Sequence, residues 1–246
     1  MSILALRSDL IPFLEPFLPQ NELSSSKPFV TLTYAQSVDS RISKGRGLRT
    51  TISHKETKAM THYLRFHHDG IVVGAGTALA DDPGLNCKWS PSDGEPTLQT
   101  SPRPIIIDPH RKWKFKGSQM ENLFIQEKGK APIIIVKQVP PANERESGVT
   151  YMSMQVDDKS GQFNWQELVH KLKSDFNLNS IMVEGGAIVI NDLLNRPDVV
   201  DSLIVTIGAT YLGKNGVEVS PLNGDFELKN VTWWRGTRDA IMCANL

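Results

Sequence analysis

IMVEGGAIVINDLL, residues 181–194, joins three apolar residues to an acid, two glycines and a second apolar run. Ile181–Val183 is too short for a helix and is bounded by turn residues, so it reads as a strand buried on both faces. Ala187 to Leu194 reads as the short helix that follows it. Strands buried on both faces belong to parallel sheets covered by helices. Working outward, Ile71–Val73, Ile105–Ile107 and Ile133–Val136 repeat the same short apolar run, and Phe29 to Ala35 is rich in β-branched and aromatic residues. Between these runs, Leu168, Leu172 and Phe176 recur four apart over Trp165 to Phe176, as in a helix crossing a sheet. Ser53 and Glu56 have capping-box spacing. They precede the pairs Ala59/Tyr63 and Met60/Leu64, which predicts a helix ending near Asp69–Gly70. The expected fold is therefore α/β, with a mostly parallel central sheet flanked by helices. Leu203 to Ile207, Phe226 to Val231 and Trp233 to Arg238 read as strands without intervening long helices, giving an antiparallel C-terminal edge.

Residues 1–27 read as a helical extension and a polar linker (19–27), and residues 28–246 as a single domain. Residues 84–103 and 137–148 read as long surface loops beside a functional site. The chain has 246 residues, 39% of them hydrophobic, enough for a core that needs no metal or disulfide staple. Lys plus Arg and Asp plus Glu both number 27, so no net field draws nucleic acid or an anionic membrane, and any anion site is local. Cys87 and Cys243 form no CxxC pair, and no apolar stretch approaches a membrane span, so a reducing, cytoplasmic location is expected. Neither HExxH, a zinc-type His/Cys cluster nor a G-x-S-x-G elbow occurs, so no metal is expected and a serine hydrolase is disfavoured.

Chemistry concentrates where predicted strands end. Glu184–Gly185–Gly186 lets backbone approach a bound group, with the next helix offering free N–H donors to a pyrophosphate; a plain strand-to-helix turn reads equally well. Gly74–Ala75–Gly76–Thr77 offers amides and a hydroxyl, but Leu79 breaks a dinucleotide fingerprint, so a tight turn fits too. Asp81–Asp82 are two carboxylates read in a loop, and Asp39 lies beyond the first strand of the body, where ligands of open α/β sheets gather. Arg46 and Arg49, between glycines, suit a phosphate monoester or simply solvent. His67–His68 ends a helix, where a cation suits the dipole.

Taken in order, PFVTLTYAQSVDSRIS (28–43), DGIVVGAGTALADDPGLN (69–86), PRPIIID (102–108), IMVEGGAIVINDLL (181–194) and VDSLIVTIGATYLGKNG (200–216) resemble the riboflavin-biosynthesis reductases, a family related in fold to dihydrofolate reductase. The resemblance is to the stand-alone fungal form. It implies NADPH-dependent reduction of 2,5-diamino-6-ribosylamino-4(3H)-pyrimidinone 5′-phosphate, in which the opened ribose accepts hydride at C1′; NADH stays open as the cofactor. It places Thr77, Asp81, Glu184, Gly185, Gly186, Ala187 and Ile188 on the cofactor, with Val156 added from the strand-end rule. Substrate would meet Ser37, Asp39, Thr51, Asp82, Leu85 and Asn86, with Arg46 or Arg49 on its phosphate. Glu184, Asp82 and Asp39 are the expected catalytic carboxylates. The partner is a small phosphorylated pyrimidine and a second copy of the chain. The sequence departs from the family in having Thr33 where many relatives have Lys, and Gly84 where bacterial ones have Arg. Lys88 is the expected substitute for that arginine, and Arg111 a guess for a cofactor 2′-phosphate. A non-catalytic ligand binder and a reductase of another heterocycle remain alternative readings.

Overall fold

The computed structural model describes residues 6–20, 25–91, 97–157, 161, 163–221 and 225–246. Parts of the expected linker (21–24) and of the 84–103 loop (92–96) lie outside them. In chain order the elements are α1 (Leu10–Leu14), β1 (Phe29–Ser37), β2 (Arg41–Ser43), α2 (Lys55–Phe66), β3 (Gly70–Gly74), α3 (Ala75–Asp81), β4 (Arg103–Ile107), α4 (Gln119–Ile125), β5 (Ile133–Val136) and β6 (Thr150–Ser153). There follow α5 (Trp165–Phe176), β7 (Ser180–Gly185), α6 (Ala187–Leu193), β8 (Ser202–Gly208), β9 (Val217–Glu218), β10 (Lys229–Arg235) and β11 (Ala240–Asn245).

Nine strands form one sheet in the order β10-β11-β8-β1-β7-β3-β4-β5-β6. From β8 to β6 all neighbours are parallel, while β11 and β10 add the antiparallel edge. β2 and β9 make a separate two-stranded ribbon. Because side chains alternate across a strand, each buried run feeds two cores. Val30, Leu32, Val72, Ile105, Ile181 and Val183 meet α5 and α6 on one face, and Ile71, Val73, Ile106, Ile134 and Met182 meet α1 to α4 on the other. The N-terminal segment is part of that second layer, with Leu10 and Leu14 fully buried.

Several local expectations are corrected. α2 begins at Lys55, and the Ser53 box does not form, because a distant turn supplies the cap: the Asp239 carboxylate accepts from His54 N (2.6 Å) and Thr57 Oγ1 (2.7 Å). Glu56 instead accepts from Thr237 N and Arg238 N; burial would raise its pKa, but these amides hold it down to about 2. The box-like cap that does form is at the start of α4, a helix absent from the sequence reading: Ser118 Oγ accepts from Glu121 N, and Glu121 Oε2 accepts from Gly117 N, one residue before the cap. α3 was missed too. Gly74 to Thr77 is neither loop nor tight turn but the opening of that helix, and Asp81 is its last residue.

The C-terminal hairpin is also shifted. A single strand, β10, runs across the two segments expected at 226–231 and 233–238, and residues 236–239 form the turn into β11. Leu85, Asn86 and Cys87 are buried rather than part of a surface loop. His68 is not a helix-end cation: fully enclosed between Leu64 O (2.6 Å) and Thr31 Oγ1 (2.8 Å), it has its pKa pulled down by burial to about 4.

Candidate active site

β1, β3, β4 and β7 run parallel, so their C-terminal ends open on one side of the sheet, around the point where β7 inserts between β1 and β3. That is where open α/β sheets hold ligands. A cleft of about 1220 Å³ lies there. Its walls are Tyr34, Ile42, the 45–53 loop, Lys58, the β9 segment, the first turns of α3 and α6, Ile107 to His110, Lys112, Phe163 and Trp165. Its size exceeds the range of about 300–1,000 Å³ usual for one small ligand, and so suits two reactants side by side.

The floor is built by the two glycine connections. Gly185 has φ +108°, a region open to glycine, and the Gly185–Gly186 peptide bond is cis. A Cβ on Gly186 would lie 2.8 Å from Thr77 Oγ1, so α3 and α6 start in contact, and space beside Gly76 is open. Neither helix has a side-chain N-cap, which leaves first-turn amides free. Free amides, a hydroxyl and backbone left uncovered at Gly76 and Gly186 fit the pyrophosphate of a dinucleotide.

Charge is distributed unevenly. Among the cleft carboxylates, Glu184 is held by Arg65 through two bonds (Nε to Oε1, 2.9 Å; Nη2 to Oε2, 2.8 Å). Asp192 accepts from Trp165 Nε1 (2.6 Å), Glu218 pairs with Arg41 (2.7 Å) and Asp108 accepts from Trp113 N (2.7 Å). Asp81 has no such partner; burial raises its pKa, against the opposing pull of nearby Arg49. The cations differ: Arg46, Arg49, Lys58, His110 and Lys112 line the cleft. None of the five makes a side-chain hydrogen bond or ion pair with another described residue. The cleft is thus an acceptor of anions inside a chain with no net charge. Tyr34, in the wall, has its phenol pushed up to about 12 by burial and stays neutral.

Of the expected site residues, Thr77, Asp81, Glu184, Gly186, Ala187, Ile188, Thr51, Arg46 and Arg49 come together around this cleft. The others do not line it. Ser37 and Asp39 lock the turn after β1: Ser37 Oγ (2.5 Å), Leu212 N (3.1 Å) and Gly213 N (2.7 Å) all donate to the Asp39 carboxyl, and the Ser37 hydroxyl first, then these amides, hold it down at about 2. Asp82, left-handed at the end of α3, accepts from Gln119 N (2.9 Å) and so caps α4. Leu85 is in the core, and Asn86 offers its carbonyl to Arg65 Nη1 (3.1 Å). Gly185 is buried behind Gly186, and Val156 packs against the core beside Phe163, the residue that reaches the cleft. Lys88 is exposed outside it and gives only its backbone N to His62, while Arg111 turns away to Glu144 (3.0 Å). Sequence reasoning missed Arg65, Tyr34, Lys58 and Lys112. Lys58 was legible, one turn into the predicted helix from the glycine-flanked arginines.

A curated protein from Kluyveromyces marxianus named 2,5-diamino-6-ribosylamino-4(3H)-pyrimidinone 5′-phosphate reductase is 55% identical over 100% of this chain and 99% of its own. The solved structure of the Saccharomyces cerevisiae riboflavin biosynthesis reductase Rib7 is 50% identical and superimposes with a TM-score of 0.84, covering 97% of this chain and 100% of that one. A dihydrofolate reductase from Enterococcus faecalis, 11% identical, shares the fold alone, with a TM-score of 0.50 over 88% of this chain and 95% of its own. Residues 28–242 match the RibD C-terminal domain family, and with that match and those relatives the chain belongs to it.

Proposed function

We propose that this protein reduces 2,5-diamino-6-ribosylamino-4(3H)-pyrimidinone 5′-phosphate to its ribitylamino product with NADPH, a step of riboflavin biosynthesis. The observation that carries the reading is the large cleft at the strand ends, lined by the Gly74–Thr77 and Gly186 connections and by five cations without protein partners, in a chain 55% identical to a reductase of that name. The nicotinamide supplies the hydride. The chain positions the reactants: Gly186, Ala187 and Thr77 hold the dinucleotide backbone, Ile188 and Leu79 offer exposed apolar surface to flat rings, and Arg46, Arg49 and Lys58 meet the substrate phosphate. Asp81, a cleft carboxyl that no side chain engages and whose pKa burial raises, is the group we assign to proton transfer. Glu184, with both oxygens on Arg65, is held in one orientation at the end of β7.

The test is to mix purified protein, the ribosylaminopyrimidine phosphate and NADPH, following nicotinamide absorbance and product mass. Loss of NADPH matched by a gain of two hydrogens in the substrate is expected, and NADPH binding without turnover would overturn the reading. We place the enzyme in the cytoplasm; among the described residues no helix is long and apolar enough to cross a membrane. A homodimer is also proposed, supported by the unpaired edge strand β10 with Val231 and Trp233 exposed, and sedimentation of wild type against Trp233→Glu tests it.

A further inference from the structure

One phenol in the cleft wall has no partner in the protein. Tyr34 lies near the end of β1, two residues past the last β1–β7 pair, Leu32–Val183, where β7 gives way to the Gly185–Gly186 connection. Side chains alternate along a strand, so Tyr34 shares the face of Val30 and Leu32, and its ring packs on the core beneath α5 and α6. Its hydroxyl makes no hydrogen bond with another described residue. An enclosed tyrosine hydroxyl ordinarily has a partner, and Tyr34 lines the cleft, so the missing partner is one that a ligand can supply.

The place of Tyr34 in the sheet says which ligand. The strands run β8-β1-β7-β3 across the cleft. The dinucleotide phosphates are assigned above to the connections after β7 and β3. The substrate phosphate is assigned to the 45–53 loop and Lys58, and Ile52 of that loop packs on Gly208 at the end of β8. Tyr34, on β1, stands between the two assignments. Hydride transfer needs the reacting carbons about 3–3.5 Å apart, so the sugar carbon C1′ must lie in this middle stretch. Burial pushes the phenol up to about 12, which makes it a neutral, weak acid suited to an alkoxide leaving group.

We propose that the Tyr34 hydroxyl opens the ribose ring of the substrate, giving its proton to the ring oxygen O4′ and taking up the proton of the exocyclic nitrogen. The proposal rests on the reductase reading above. As the C1′–O4′ bond breaks, its electron pair goes to O4′, which becomes the 4′-hydroxyl with the proton from Tyr34. The nitrogen lone pair forms the N=C1′ bond, and the nitrogen's proton passes to the phenolate, leaving the N–H pair as the new lone pair. Both O4′ and the nitrogen are bonded to C1′, so one hydroxyl can serve both, and the tyrosine ends as it began. Hydride then adds to C1′, and the nitrogen takes a proton from Asp81.

The experiment compares wild type with Tyr34→Phe, which removes one oxygen and keeps the ring; thermal melts check that folding is kept. Ring opening is read by itself as exchange between the α and β anomers of the ribosylaminopyrimidine phosphate, followed by NMR on protein loaded with NADP+, where no hydride can transfer. Steady-state turnover with NADPH and NADPH affinity from tryptophan fluorescence complete the set. Wild type is expected to speed exchange above the buffer rate. Tyr34→Phe should lose at least about tenfold of both that acceleration and kcat, with NADPH affinity and substrate KM within about twofold of wild type. The proposal is overturned if wild type does not speed exchange, if Tyr34→Phe keeps wild-type exchange whatever its kcat, or if the variant changes only KM or NADPH affinity. Those results leave the reductase reading standing as long as wild type oxidises NADPH with this substrate. Absence of that oxidation would remove the reading and the proposal together.

Discussion

Gly186 is where a single atom decides whether the cleft can work. A Cβ there would sit 2.8 Å from Thr77 Oγ1, so Gly186→Ala must either turn the Thr77 hydroxyl away from its place in the floor or move the two connections apart. NADPH affinity is expected to fall about tenfold or more with little change in stability, measured by quenching of tryptophan fluorescence. Arg65 and Glu184 are mostly shielded, with side-chain exposures of 12% and 19%. Arg65→Met leaves a half-buried carboxylate without its partner and should cost about 1–3 kcal/mol in urea unfolding, and Arg65→Met/Glu184→Met should recover much of it. Asp81 makes a pH prediction. Its carboxyl pKa is raised by burial, so a proton held there is lost as pH rises through that shifted value. If Asp81 donates this proton, kcat falls on the alkaline side of that pKa, and Asp81→Asn lowers kcat and flattens that limb of the pH profile. A limb unchanged in the variant would assign the proton to another group.

Among elements, α2 depends on a residue far from it in sequence. Asp239, in the β10–β11 turn, caps its first turn, and Glu56 of the helix ties back to the same turn. Asp239→Ala should cost about 1–2 kcal/mol, as loss of a helix cap does, and should speed amide exchange over residues 54–58. Because α2 carries Lys58 into the cleft, substrate KM should rise more than kcat falls. This exchange of caps explains why Ser53/Glu56 misled: both residues suit a capping box, but a stronger acceptor arrived from another part of the chain. The Ser118/Glu121 spacing was equally plain in the sequence and is the one that formed a cap. α5 was legible from Trp165 to Phe176 because its apolar face, its Asn164 cap and the left-handed Asn177 at its end are all local.

At the scale of the whole molecule, acid sensitivity follows from buried imidazole. His68 is 4% exposed and its pKa falls from 6.5 to about 4, so the unfolded chain takes up the proton first. Stability from this group is complete above pH 6.5 and is lost as pH drops toward 4, about 2 kcal/mol of it between pH 6.5 and 5. His62, pulled down by burial to about 3, adds in the same direction. Urea midpoints at pH 7 and 5 should differ by this margin or more, and His68→Gln should narrow the gap; an unchanged gap would place the acid sensitivity elsewhere.

The sequence by itself determined the parallel α/β sheet, the order of most strands along the chain and the glycine connections that make the cleft floor. Those features arise from short-range patterns: doubly buried runs, helical spacing, and glycines at strand ends. Only the tertiary structure decided which carboxylates are free. Asp39 and Asp82 sit in matched motifs, yet one closes a turn on Leu212 and Gly213 and the other caps α4. Glu184 faces the cleft but is claimed by Arg65, 119 residues earlier. A carboxylate is available for chemistry only if no nearer donor takes it, and donors brought close by folding across a hundred residues leave no trace in local spacing.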